Sequence, residues 1–110
     1  MDRPAQGRLT DPAEAPATGE QVHLVVPRGA AGGIGVAVEH VQSGSLGAPV
    51  PYEQDHSEWA LVLRGAAVLV VEGRELHLVA RDWVWLPAGT PHVLVSTEPG
   101  TEWLTVRWPV

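Results

Sequence analysis

WALVLRGAAVLVVEGRELHLV, residues 59–79, contains three short apolar runs, Trp59 to Leu63, Ala67 to Val71 and Glu75 to Val79. Runs of strand length, rich in Val and Leu and bounded by Gly65 and Gly73, are too short for helices and predict consecutive β-strands. Between the second and third run, Glu72-Gly73-Arg74-Glu75 reads as a tight hairpin, because Gly73 tolerates the positive φ that such turns require.

The same pattern continues outward in both directions. Upstream lie Val22 to Val26 and Ile34 to Val41; downstream lie Trp83 to Leu86, Val93 to Ser96 and Trp103 to Trp108. Within Ile34 to Val41 the side chains of Val36, Val38 and His40 alternate with those of Ala37, Glu39 and Val41, so one face is buried. Eight candidate strands with turn signals between them predict a sandwich or closed barrel, not alternating βαβ units. There is no internal repeat.

A chain of 110 residues accommodates one domain. Phe is absent and Met occurs once, so Val, Leu, Ala and the five Trp are expected to fill the core. Residues 1–20 carry three prolines and few large apolar side chains, and are expected to form a flexible tail ahead of a barrel over 21–110. The formal charge of −6 has the wrong sign for a phosphate backbone, which argues against nucleic acid as a partner. With no cysteine, a metal would have to be held by nitrogen and oxygen. The N-terminus lacks the apolar core of a secretory signal and no apolar run approaches membrane-spanning length, so the expectation is a cytoplasmic protein with no membrane partner.

Two stretches place polar side chains beside an apolar strand. In Tyr52-Glu53-Gln54-Asp55-His56-Ser57-Glu58, an extended chain puts Tyr52, Gln54, His56 and Glu58 on one face. In Arg81 to His92, a Pro/Gly turn delivers His92 at the start of the next strand. His23, His40 and His77 stand apart from any ligand spacing and read as satisfied surface or strand positions. In the last strand, Trp103, Thr105 and Arg107 share one face, which either lines a cavity, with Trp103 in its wall and Arg107 able to bind a substrate carboxylate, or is an exposed strand face or dimer contact.

These stretches resemble the two motifs of the cupin superfamily, G(X)5HXH(X)3-4E(X)6G and G(X)5PXG(X)2H(X)3N. Glu58 followed by six residues and Gly65 fits the end of the first; Pro87-x-Gly89-x-x-His92 fits the centre of the second. The likeness spans about Ala48 to Val110 and is nearest to small one-domain cupins that read Tyr-x-Gln-x-x-x-Glu-Trp and end in Trp-Leu-x-Val. It implies an all-β jelly roll, the double-stranded β-helix, with a pocket centred on Glu58 and His92. The family's motif-one histidines fall here at Tyr52 and Gln54, its motif-two opening glycine at Arg81 and its closing asparagine at Ser96.

The resemblance implies a divalent metal ion (Fe, Mn, Ni or Zn) on Gln54, Glu58 and His92, with His56 as a fourth or substitute ligand, although amide oxygen is a weak donor. Three functions follow: a metal-dependent oxygenase, isomerase, cyclase or decarboxylase in which Tyr52 or His56 moves protons; a metal-free acid/base cupin using Glu58 and His92; or a module that binds a small molecule. Single-barrel relatives pair through sheets or edges, which implies a homodimer built on the Val- and Trp-rich strands.

Overall fold

The computed structural model describes residues 6–26 and 35–109. Among the described residues, nine strands follow a single 3-10 turn at Pro12–Glu14: β1 (Glu20–Val26), β2 (Ala37–Ser43), β3 (Val50–Tyr52), β4 (His56–Arg64), β5 (Ala66–Val71), β6 (Arg74–Val79), β7 (Trp83–Leu86), β8 (His92–Thr97) and β9 (Thr101–Pro109). They form two antiparallel sheets, ordered β1-β2-β9-β4-β7 and β3-β8-β5-β6. This is the expected all-β jelly roll. The expected strand at Ile34 to Val41 runs from Ala37 to Ser43, and Ile34 lies outside the described residues. Strand β3 is additional. It has three residues including Pro51 and no apolar alternation for a sequence reading to detect.

Alternation decides what each sheet buries. Val41, Ala60, Val62, Leu86 and Trp103 from the first sheet meet Ala67, Leu69, Leu78 and Leu94 from the second. Trp103 is the only tryptophan in this core. Trp83 and Trp85 are 60% and 54% exposed, so they do not help fill the core as the composition led one to expect, and they lie on strands expected to supply a dimer surface. They point outward on β7, where cross-strand pairing places Trp85 beside Trp59 and Trp59 beside Val106. Among the described residues no helix is long and apolar enough to cross a membrane.

Three turns carry the strain. Glu72 (φ 51) and Gly73 (φ 74) form the two-residue hairpin loop between β5 and β6, as the sequence predicted. Gly65 (φ 87) joins β4 to β5 where an added Cβ would lie 2.7 Å from the Thr101 Cα, so glycine is required for space as well as conformation. Arg81 stands at φ 80, in the left-handed region and at the position where the cupin motif has glycine, a conformation costing about 1 kcal/mol for a residue with a Cβ.

Of the expected tail, Met1 to Ala5 lies outside the described residues, while 6–19 rests on the barrel. Gly19 N–H donates to the Ser45 carbonyl (3.0 Å), Ser45 N–H to Ala17 (3.1 Å), and Gly44 N–H to Gly19 (2.7 Å). On the outer face of the first sheet, the Gln42 amide donates to the Asp11 carbonyl (3.1 Å) and accepts from His23 Nε2 (2.9 Å). Backbone hydrogen bonding thus holds a segment that too few apolar side chains would have held. Beneath it, His40 is fully buried, stacked on His23 at 5.7 Å and bonded through Nε2 to Glu102 (3.2 Å). His40 is therefore a buried strand position; His77 is an exposed one, 3.5 Å from Glu75.

Candidate functional site

Between the sheets lies a cavity of about 290 Å3, reached by side chains from eight of the nine strands or the loops beside them. Its polar wall is set by strand register. Glu58 on β4 is the direct partner of Arg107 on β9, and Tyr52 on β3 is the direct partner of His92 on β8. The two motifs are tied together beneath this wall: the Gln54 carbonyl accepts from Gly89 N–H (2.8 Å), and Ser57 Oγ accepts from Ala88 N–H (3.3 Å). The Pro87-Ala88-Gly89 turn is thereby fixed against the strand that carries Glu58.

Glu58 is buried, and its carboxylate is engaged on both oxygens. Arg107 Nε donates to Oε1 (3.2 Å) and Gln54 Nε2 to Oε2 (3.4 Å). The same Arg107 Nε lies 2.8 Å from Glu39 Oε1, so one guanidinium joins two buried carboxylates. Neither Glu39 nor Glu20, which enters the cavity from β1, was identified as a site residue from sequence. Glu39 left a trace, as the one charged residue on the inward Ala37/Glu39/Val41 face; Glu20 left none, because it sat at the end of an expected tail. Arg107, expected to be able to bind a substrate carboxylate, lines the cavity with its Nε held between two carboxylates of the chain.

His92 is buried and donates from Nδ1 to the Thr90 carbonyl (3.0 Å). Because a carbonyl only accepts, this bond places the hydrogen on Nδ1 and leaves Nε2 as an acceptor. The ring stacks on Tyr52 with centroids 5.5 Å apart. Tyr52, at the cavity rim, donates its hydroxyl to Glu20 Oε1 (3.0 Å), and Ser43 Oγ donates to Glu20 Oε2 (2.6 Å). Burial first, then the Glu20 charge and its hydrogen bond, then Glu58, push the Tyr52 phenol up to about 12. Trp103 lies buried on the same wall, with its indole Nε1 unpartnered among the described residues.

His56 is separate from this group. It contacts Asp55 (3.3 Å), pairs in register with Pro109 and is not among the residues lining the cavity. Of the residues expected from sequence, Tyr52, Gln54, Glu58, His92, Trp103 and Arg107 come together, and His56 does not.

The phenol offers a direct check on this electrostatic arrangement, because Tyr52 is the chain's one tyrosine. Absorbance titration of the folded protein should show tyrosinate forming near pH 12, not near 10, and Glu20→Gln should bring that midpoint down. A folded-state value above the unfolded one means the associated stability is intact below about pH 10 and is lost as pH rises toward 12. A wild-type midpoint near 10 would contradict the Tyr52–Glu20 contact.

The sequence profile of the cupin domain matches residues 37–107, which is more than half of the chain. The chain belongs to the cupin family. Among solved structures, this cupin is similar to a candidate mannose-6-phosphate isomerase from Ralstonia eutropha, with 29% identity over 97% of this chain and 100% of that one and a TM-score of 0.76. It shares the fold of KdgF from a Halomonas species (22% identity, 84% of this chain and 82% of that one, TM-score 0.70). The same fold recurs in the cupin domain of an XRE family transcriptional regulator from Enterobacter cloacae (12% identity, 83% and 97%, TM-score 0.66). No curated protein matches the chain.

Many cupins bind a metal, and the residues at this position can be tested for one. A divalent ion requires several convergent donors free to coordinate it. Among the described residues, no group of three His, Cys, Asp or Glu side chains has metal-binding geometry. Gln54 directs its amide nitrogen, a donor, at Glu58, and the guanidinium of Arg107 lies against the carboxylate that would have to meet the ion. The wall of this cupin cavity therefore does not fit a divalent metal: Arg107 supplies the positive charge there.

Proposed function

We propose that this cupin binds a small organic molecule in the cavity without a metal ion. His92 Nε2 is the group available to accept or donate a proton, and the Glu58–Arg107 pair is a fixed electrostatic wall. The observation that carries this reading is the bond from Arg107 Nε to Glu58, which places a permanent cation against the family's carboxylate ligand. Should the protein turn its ligand over, the chemistry open to it is proton transfer, with Thr90 holding the His92 ring in one tautomer and Tyr52 packing its face. The Tyr52 hydroxyl, held protonated by its surroundings, serves as a donor and not as a base.

A phosphosugar, the kind of ligand named for the Ralstonia eutropha protein, would meet a single guanidinium among the described residues lining this cavity, that of Arg107, whose Nε already lies against Glu39 and Glu58. Metal independence is tested by thermal denaturation with a ligand found by screening. The ligand-induced rise in melting temperature should be the same before and after dialysis against a chelator. A rise that vanishes on chelation and returns with Fe, Mn, Ni or Zn would overturn the reading.

The active form is proposed to be a homodimer packed through the outer face of the first sheet. Support comes from the cross-strand row Trp85, Trp59, Val106 and Val38, with Trp83 beside Leu61 in the next row. Two exposed tryptophans joined to an apolar row form a patch that a second copy would cover. Sedimentation equilibrium should give a dimer for the native chain and a folded monomer for Trp85→Glu; a native monomer at micromolar concentration would refute the pairing.

A further inference from the structure

We propose that the cavity selects a small organic cation carrying a hydroxyl group, an amino alcohol by chemical class, and rejects carboxylates and phosphates. This rests on the reading that the cavity binds a small molecule, and adds the class of that molecule.

Charge is the first consideration. Three carboxylates, those of Glu20, Glu39 and Glu58, face the site or its immediate backing, against the single guanidinium of Arg107. Arg107 joins Glu39 and Glu58 through one nitrogen, so its charge is divided between them. Glu20 has no cationic partner among the described residues; it is held by two neutral hydroxyls, those of Tyr52 and Ser43. An ammonium group entering beside Glu20 completes the charge balance, whereas an anion meets repulsion in a partly enclosed site where water screens poorly. Burial is the first cause of the raised affinity of the Tyr52 phenol for its proton, and the charges of Glu20 and Glu58 add to it.

Aromatic and hydrogen-bonding groups supply the rest of the specificity. Tyr52 stacked on His92 presents an aromatic wall beside Glu20, a surface favourable to an organic cation. Trp103, nine-tenths or more buried, packs on the cavity wall, so its indole N–H resonance reports on a ligand bound there. His92 Nε2 accepts from a ligand hydroxyl. A molecule with a cation at one end, a hydroxyl at the other and a short apolar chain between matches the apolar part of the cavity wall formed by Val22, Leu69 and Leu94.

The test uses three probes with the same four-carbon skeleton and one common hydroxyl: 4-amino-1-butanol, 1,4-butanediol and 4-hydroxybutanoate. Each is titrated into the full 15N-labelled chain at neutral pH while the Trp103 indole N–H resonance is followed. That resonance is assigned from Trp103→Phe, or by triple-resonance spectra of the native chain if the variant does not fold. The amino alcohol should bind at least about tenfold more tightly than the carboxylate, with the diol between them, and Glu20→Gln should reduce that ratio several-fold. Equal or tighter binding of 4-hydroxybutanoate would overturn the charge selection while leaving the cavity as a binding site. If none of the three shifts Trp103 at millimolar concentration, both the selection and the binding reading fail.

Discussion

Arg107→Met is expected to destabilise the protein by about 3 kcal/mol in urea denaturation at neutral pH, because it leaves Glu39 and Glu58 buried without their shared cation. Both glutamates are less than one-tenth exposed, so water replaces the guanidinium only in part. Methionine keeps most of the arginine stem and makes the loss chiefly one of charge. The triple variant Arg107→Met, Glu39→Gln, Glu58→Gln should recover most of the stability, since removing all three charges removes the unpaired ones as well. A loss below about 1 kcal/mol for the single variant, typical of an exposed pair, would show that Arg107 is not the counter-ion of this wall.

Gly65→Ala is the other substitution with a large expected effect, about 3–5 kcal/mol, from two additive causes. The residue has φ 87, where a side chain is strained, and the new Cβ would collide with both Oγ1 and the backbone of Thr101. Thr101 cannot move freely. Its hydroxyl donates to the Glu98 carbonyl (2.7 Å) and also bonds to Ala66, and the residue is fully buried. Gly89→Ala provides the control, because Gly89 has a similar φ of 79 but nothing within 4 Å of the added carbon. It should lose only about 1 kcal/mol, the conformational part. Comparable losses at the two sites would mean that the approach of Gly65 to Thr101 is not tight.

The strand-rich fold and most of the polar wall could be read from the order of residues, because both depend on local chemistry. Period-two alternation marked one face of β2 and of β9 and the row Tyr52 to Glu58 that leads into β4, and the spacing from Glu58 to Gly65 matched the end of a cupin motif, where the structure requires glycine. Pairs across strands were not legible. Arg107 could be placed on an inward face, but its partners are separated from it by 49 residues at Glu58 and by the full length of the barrel at Glu39. Only register brings them together, and register changed the meaning of Arg107 from a ligand anchor to a structural counter-ion.

The N-terminal segment misled for a different reason. Its composition predicts too little apolar burial to fold alone, yet it is held by backbone bonds to residues 44 and 45 and by the Gln42 side chain, contacts with no signature in its own sequence. That docking also puts Glu20 at the cavity. His56 was placed by alternation on the same face as Glu58, but β4 begins at His56 beside the end of β9, past the cavity's edge. Alternation gives the side of a sheet and not the position along it.

In the proposed reading, the Glu58–Arg107 pair takes the place of a metal ion in this cupin. Its most direct test is elemental analysis of protein purified without a His tag, after incubation with Fe, Mn, Ni or Zn and removal of free metal, beside His92→Ala treated identically. The expected result is far less than one metal per chain in both proteins, with no difference between them; a stoichiometric metal in the native chain that disappears in His92→Ala would contradict the account.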